Sequence, residues 1–262
     1  MNITLDTLAI AAIALAAIAC GPAAQAQATL DQSKALAGGV TAEDTPGFPI
    51  TLSRPGSYKL TGNLVVPANL GGVHITVPGV TLDLNGFNIT GPGTCLRNDA
   101  TFAVTCSFMP TVTHGVLMTT GGSTLRNGNV RGFYTGVFFF GADQIENLLV
   151  EHNHGYGLAN GNTDGARSLI RHVRSQLNGG GGFNIGDSLV QGSTAASNGL
   201  DGFGSFGSGR NVVLDSVAFA NKGTGFKGKN MAIGRSVAQQ NKVADIFSAT
   251  SLGGNLNGSV LF

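Results

Sequence analysis

Between Arg131 and Arg174 lies the chain's densest set of groups able to move a proton or hold a charge: Arg131, Tyr134, Glu146, Glu151, His152, His154, Arg167, Arg171, His172 and Arg174. An imidazole is suited to taking a proton near neutral pH, a phenol can return one, and a guanidinium clamps a carboxylate through a planar fork. The expected roles are therefore His154 or His152 as base, Tyr134 as acid, and Arg131 or Arg174 as the carboxylate clamp. Lys222, Lys242 and His172 are the candidate ligand-binding residues, with His172 expected on a different edge. The plain alternative is that all of these are ordinary exterior residues. His152, His154 and His172 would suffice for a catalytic zinc if they converged. His152 and His154 alternate along an extended segment and should point to opposite sides, so no metal and no cofactor is assigned.

Which of these groups can meet depends on a repeat that runs from Leu125 to Ile246. Six copies open on Leu125, Ile145, Ile170, Val190, Val213 and Ile233, at intervals of 20 to 25 residues. Eight places on come Phe133, Asn153, Asn178, Asn198, Asn221 and Asn241, and thirteen places on come Phe138, Leu158, Phe183, Phe203, Phe226 and Ile246. The spacing within a copy holds while the gap between copies varies, which is the pattern of a stacked coil with surface insertions. The intervening residues are Gly, Asn, Ser and Thr, and each Gly costs a helix about 1 kcal/mol relative to Ala. The leucine ladder of a leucine-rich repeat is missing as well. What remains is short strands and tight turns, each copy closing one coil of a parallel β-helix.

Stacking then predicts neighbours. Inward side chains should pile on their equivalents about 4.8 Å away, with openers and thirteenth-place residues, Phe138 included, forming internal ladders. The eighth-place Asn is expected at a corner with positive φ, its amide bonding to the next coil. Tyr134 and His154 share the ninth place and should touch. Gly179, Gly199, Lys222 and Lys242 continue that column, so a shallow groove over the glycines, with Tyr and His at one end and Lys at the other, is the expected saccharide track.

Composition narrows the partners. Lys and Arg total 15 against 14 Asp and Glu, a formal net charge of +1, and only 11% of residues are charged. Without a basic stripe to neutralise several phosphates, nucleic acid is excluded as a partner. The 41 glycines and the absence of Trp suit a chain of many tight corners.

Residues 1–28 read as a signal peptide: an apolar run at 8–19 too short to span a bilayer comfortably, then a small-residue cleavage site at 24–26. The sequence around Cys20 also resembles a lipoprotein lipobox, leaving lipidation or removal of Cys20 as alternatives. Either fate leaves Cys95 and Cys106 as a pair, which an oxidising compartment would let close a small loop; two free thiols are the other reading. The expected location is secreted or periplasmic, with an outer-membrane lipoprotein as the variant, and no transmembrane segment in the processed chain. Residues 29–49 read as a lead-in or N-terminal cap with a short helix around 31–36. Residues 50–262 read as one β-helix domain of eight or nine coils, interrupted by a loop insertion at 91–111 that is either a binding surface or a flap packed over the exterior and held by the disulfide.

The stretches PGSYKLTG at 55–62 and GVTLDLNGF at 79–87, with the recurring aliphatic-x-x-x-Val-x-x-x-Asn pattern, resemble the right-handed parallel β-helix superfamily. That superfamily includes pectate lyases, pectin-modifying hydrolases and secreted bacterial repeat proteins. The resemblance covers roughly residues 50 to 250 and implies right-handedness. It also implies a polysaccharide, acidic in the lyase case, held along the outer strand face and its bordering loops. A lyase reaction would remove a proton beside a uronate carboxylate and expel the glycosidic oxygen from the neighbouring carbon. The hydrolase motif of clustered Asp pairs with His-Gly and Arg-x-Lys is not matched, since Asp143, Asp164, Asp187 and Asp201 each stand alone near a turn. A calcium site needs more carboxylates than the chain groups together. Two functions follow: binding or processing of an extracellular polysaccharide, or a non-catalytic envelope or surface rod for protein contacts. Oligomeric state is not legible.

Overall fold

The computed structural model describes residues 27–107, 110–161, 167–258 and the backbone of 260–261. The leader, with Cys20, and Asp164 lie outside the described residues. The chain winds into a right-handed parallel β-solenoid of about 10 turns, slightly more than the eight or nine expected. A nine-stranded sheet forms one face, and an 18-stranded sheet bends to form the other two. The described residues contain one helix, Gln32–Ala37, whose N-cap Asp31 accepts a hydrogen bond from Lys34 N at 2.9 Å. Strand Ala28–Leu30 pairs with Tyr58, Lys59 and Leu60, laying a rung ahead of Ile50.

The openers stack as the repeat predicts. Leu125, Ile145, Ile170, Val190, Val213 and Ile233 are partners in one parallel register, and all are fully buried. Facing them across the core, Phe183, Phe203 and Phe226 stack nearly parallel with ring centroids 4.5 and 4.9 Å apart. The adjoining inward column runs Val130, Val150, Ser175, Ala195, Ala218 and Ala238, shrinking where the phenylalanines begin. Large rings are matched by small neighbours, which keeps the core at interior density.

Two expectations need correction. Phe138 is not on the inward ladder: Val137 pairs with Leu158 and Phe138 with Ala159, so Phe138 faces outward. Three residues separate Phe133 from Val137, against four between Asn153 and Leu158, and strand alternation turns that one-residue difference into a change of face. The second correction concerns the corners. Positive φ falls on the residue before each ladder position, at Gly132, His152, Leu177, Ser197, Ala220 and Gln240, and not on the Asn itself. That turn points the preceding side chain outward and leaves the Asn amide free to lie in the wall, where Asn153, Asn178, Asn198 and Asn221 are fully buried. Each amide donates to the Oδ1 of the next Asn at 2.9 to 3.0 Å, as the repeat implied. The other two corners carry equivalent polar columns, Ser193, Ser216 and Ser236 at one and Ser123, Asp143 and Ser168 at the other.

Candidate functional site

The corner that carries the Asn ladder also carries most of the residues singled out from sequence. Tyr134 and His154 stack there with ring centroids 5.4 Å apart, as neighbours on successive coils should. The ninth-place column continues in register, Gly179 N bonding Asn153 O, Gly199 N bonding Asn178 O, Lys222 N bonding Asn198 O and Lys242 N bonding Asn221 O. The groove expected over those glycines is, however, filled. The insertion folds into a two-stranded antiparallel hairpin, Cys95–Arg97 with Val104–Cys106, closed by a Cys95–Cys106 disulfide. This strap lies along the column. A Cβ at Gly179 would stand 2.4 Å from His154 O and 2.7 Å from Cys106 Sγ, so only glycine fits between coil and disulfide.

The strap is held chiefly by side chains of the coils. His152 Nδ1 lies 3.0 Å from Cys95 O and His154 Nδ1 3.2 Å from Ser107 O. A carbonyl only accepts, so both imidazoles carry their proton on Nδ1 and present Nε2 as the basic nitrogen. Lys242 Nζ donates to Thr101 O at 3.0 Å. Arg97 of the strap bonds Ser197 Oγ and lies over the Phe102 ring at 4.8 Å. The expectation that His152 and His154 point to opposite sides therefore fails. Asn153 between them turns inward, so both flanking imidazoles turn outward, to the same hairpin.

Arg131 and His152 line a cleft of about 360 Å³ at the strap's base, together with residues 90–96. Arg131 reaches Glu151 at 4.0 Å, Glu151 accepts from Gln176 Nε2 at 2.8 Å, and Arg174 Nε donates to Gln176 Oε1. Arg131 and Arg174 are thereby joined in one polar network through Glu151 and Gln176, while His152 shares only the cleft with Arg131. Tyr134 and His154 sit around the corner from it. Lys222 is exposed further along the column. His172 stands apart at the corner of the Ser193 column, exposed beside Gly192, as its place in the repeat implied. Among the described residues no three His, Cys, Asp or Glu are grouped to share a metal ion.

A second and larger cleft, of about 510 Å³, opens on the outer face of the nine-stranded sheet. Its floor is the outward column Asn184, Gly204, Lys227 and Phe247, in continuous register. Tyr156 stands at one end, its ring against Gly181, and the exposed Phe247 at the other. Asp201 on the wall accepts from Thr224 N at 2.7 Å and pairs with Lys227 Nζ at 3.0 Å, while Lys229 and Asn230 form the opposite lip. Aromatic faces at the ends with amide, carboxylate and ammonium groups between them suit a hydroxyl-rich ligand. From sequence Asp201 stands out only as an isolated carboxylate near a turn, and the other residues of the cleft are not candidates. For the floor the signal was present: Asn184, Gly204, Lys227 and Phe247 each follow directly on a thirteenth-place residue, and alternation along a strand turns them outward.

Elsewhere, burial perturbs His74, His114 and Asp143. Burial holds the His74 imidazole below its ordinary range, and His114, stacked on Phe138 at 4.8 Å, is lowered by burial and then by its proximity to His74. Asp143 is 1% exposed, and burial pushes its carboxyl up to about 6 against the opposing pull of the Ser123 and Gly141 amides. No helix among the described residues is long and apolar enough to cross a membrane.

A family model described as "Right handed beta helix region" matches residues 114–257, more than half of the chain. No curated protein matches. Among solved structures the chain is similar to the Dettilon tailspike protein, with TM-score 0.47, 15% identity, and coverage of 82% of this chain and 42% of that one. It is similar to pectate lyase Pel9A, with TM-score 0.49, 18% identity, and coverage of 77% and 61%. A third is tailspike protein 2 from an Escherichia coli bacteriophage, with TM-score 0.41, 14% identity, and coverage of 72% and 32%. The chain spans less than two thirds of the length of each.

Proposed function

The chain belongs to the right-handed β-helix family, and from that premise we propose that it is an exported protein that binds an extracellular or cell-wall polysaccharide along the outer face of its nine-stranded sheet. The observation that carries the reading is the cleft of about 510 Å³ floored by Asn184, Gly204 and Lys227 and ended by Tyr156 and Phe247. At the usual inter-strand spacing the floor runs about 14 Å from Asn184 to Phe247, long enough for a short run of sugar rings. Ring faces stack on Tyr156 and Phe247, hydroxyls bond Asn184 and Asp201, and Lys227 with Lys229 favours acidic sugars over neutral ones.

Binding is assigned to this cleft and proton transfer to the corner residues His152 and His154, which lie outside it. An elimination at the corner would use Nε2 of one histidine as base, Tyr134 as acid and Arg131 as the carboxylate clamp. Titration of the protein with a panel of uronate and neutral polymers tests the reading. Affinity for one or more uronate polymers that falls at least about tenfold in both Tyr156→Ala and Lys227→Ala supports it; affinity for none, or affinity indifferent to both changes, removes it.

A further inference from the structure

The strap lies along a column where the coils present hydrogen-bond donors, His152, His154 and Lys242, on either side of Gly179 and Gly199. From the Arg131 coil to the Lys242 coil it spans five rung intervals, about 24 Å at the usual spacing. Three of the bonds that hold it run from coil side chains to its main-chain carbonyls: His152 to Cys95 O, His154 to Ser107 O and Lys242 to Thr101 O. Its two strands pair with each other, and among the described residues neither strand is paired with a strand of the two large sheets. Its outer side is wet, with Leu96 79% exposed.

A two-stranded hairpin of this size is marginal in water on its own. The disulfide closes a loop with a sequence separation of 11 and limits the unfolded states open to the hairpin. Its sulfurs are also the atoms seated on the coils, against Gly179 and the Asn153 carbonyl. Order in the strap and its fit to the column thus depend on the same bond.

We infer that the strap is a redox-latched cover over a second binding track, and that its carbonyl oxygens stand in for the oxygens of an acidic polysaccharide. The donors it satisfies, two imidazoles and an ammonium, with Lys222 beside them, suit an acceptor-rich anionic chain and offer nothing to an apolar one. Opening is a two-electron reduction by a dithiol. The dithiol's sulfurs lose two hydrogens and close their own disulfide, the Cys95–Cys106 bond breaks, and each cysteine takes up a proton to become a thiol. The released hairpin loses order, and the track from Tyr134 to Lys242 opens to solvent. The strap covers His152 and His154, the residues given proton transfer above, but leaves the sheet cleft untouched, so saccharide binding in the cleft and opening of the strap are tested separately.

The test uses the full chain, oxidised, reduced with dithiothreitol, and as the Cys95→Ser/Cys106→Ser double variant, with circular dichroism to confirm that the sheets persist. Imidazoles are labelled with diethyl pyrocarbonate and located by mass spectrometry. Opening should raise labelling of His152 and His154 at least about tenfold in the reduced and double-variant forms, as expected for a segment moved from a protected to an open state. His172, exposed at the other corner, should not change. Polygalacturonate should then show an added binding event that Lys222→Ala/Lys242→Ala abolishes and Lys227→Ala leaves intact, while neutral dextran shows none. Unchanged labelling, labelling without added binding, or added binding that survives the Lys222 and Lys242 changes would each overturn the inference. Loss of sheet structure on reduction would overturn it too, by making the disulfide a support of the fold and not a latch.

Discussion

Asn221 Oδ1 accepts two hydrogen bonds from Asn198, one from its side-chain amide at 2.9 Å and one from its backbone N–H at 3.1 Å. The same double bond links Asn153 to Asn178, Asn178 to Asn198 and Asn221 to Asn241. The column ends at Asp245, whose Oδ1 accepts from Asn241 N and Nδ2 as the next Asn would. Each member therefore satisfies donors of the coil before it, and removing one strands buried groups that it did not itself contribute.

Replacing Asn198 by Ala should cost about 2 to 4 kcal/mol, because buried Asn178 N loses its acceptor and Ser175 O loses its donor, while Asn178 Nδ2 keeps Ser175 Oγ and Val150 O. Urea denaturation monitored by far-ultraviolet circular dichroism measures this. A loss under about 0.5 kcal/mol would mean that water or relaxation satisfies the stranded groups, and that the column is not a structural bond line.

Phe203 sits between Phe183 and Phe226 with full burial and two ring contacts. Phe203→Ala should destabilise by about 3 to 5 kcal/mol, since small Ala195 and Ala218 across the core leave nothing to refill the space. Phe203→Leu should cost markedly less. Equal costs in the same denaturation assay would contradict the packing described.

Asp143 makes stability depend on acid. Its folded carboxyl is raised from 3.8 to about 6, so the native state holds this proton over a range in which the unfolded chain has released it. The sign follows: stability is greatest below the unfolded value, declines as pH rises through the window between 3.8 and about 6, and is fully reduced above it. Asp143→Asn keeps an acceptor for Ser123 N and removes the charge. It should raise neutral-pH stability by up to roughly 3 kcal/mol and flatten that window. Melting temperatures of both proteins across the range decide it, and parallel profiles would refute the assignment.

If the corner residues perform an elimination, uronate polymers incubated with the protein reduced to release the strap should gain unsaturated ends, visible as ultraviolet absorbance. His154→Ala should lower that rate by about 100-fold or more, within the usual contribution of a general base. Absence of product on every polymer would assign the protein to binding alone.

Much of the architecture was legible because strand stacking converts a fixed spacing into a fixed column. The openers, the Asn amides and the Tyr134–His154 contact follow from counting positions. Phe138 was misplaced because one coil is a residue shorter after Phe133, and period-2 alternation makes such a slip a reversal of face. The strap's resting place over Gly179 was not readable, because an aperiodic insertion carries no register to say which column it covers. The sheet cleft was overlooked for a different reason. Asn184, Asp201 and Lys227 are neither clustered in sequence nor unusual in type, and only the adjacency of rungs makes them a site.

The most direct measurement is difference density from crystals soaked with a short oligouronate. The account predicts sugar rings lying along the nine-stranded sheet, one stacked on Tyr156 or Phe247, with oxygens in hydrogen-bond contact with Asn184 and Lys227. An ordered oligosaccharide bound on either face of the long sheet, with the cleft above Gly204 empty, would contradict it.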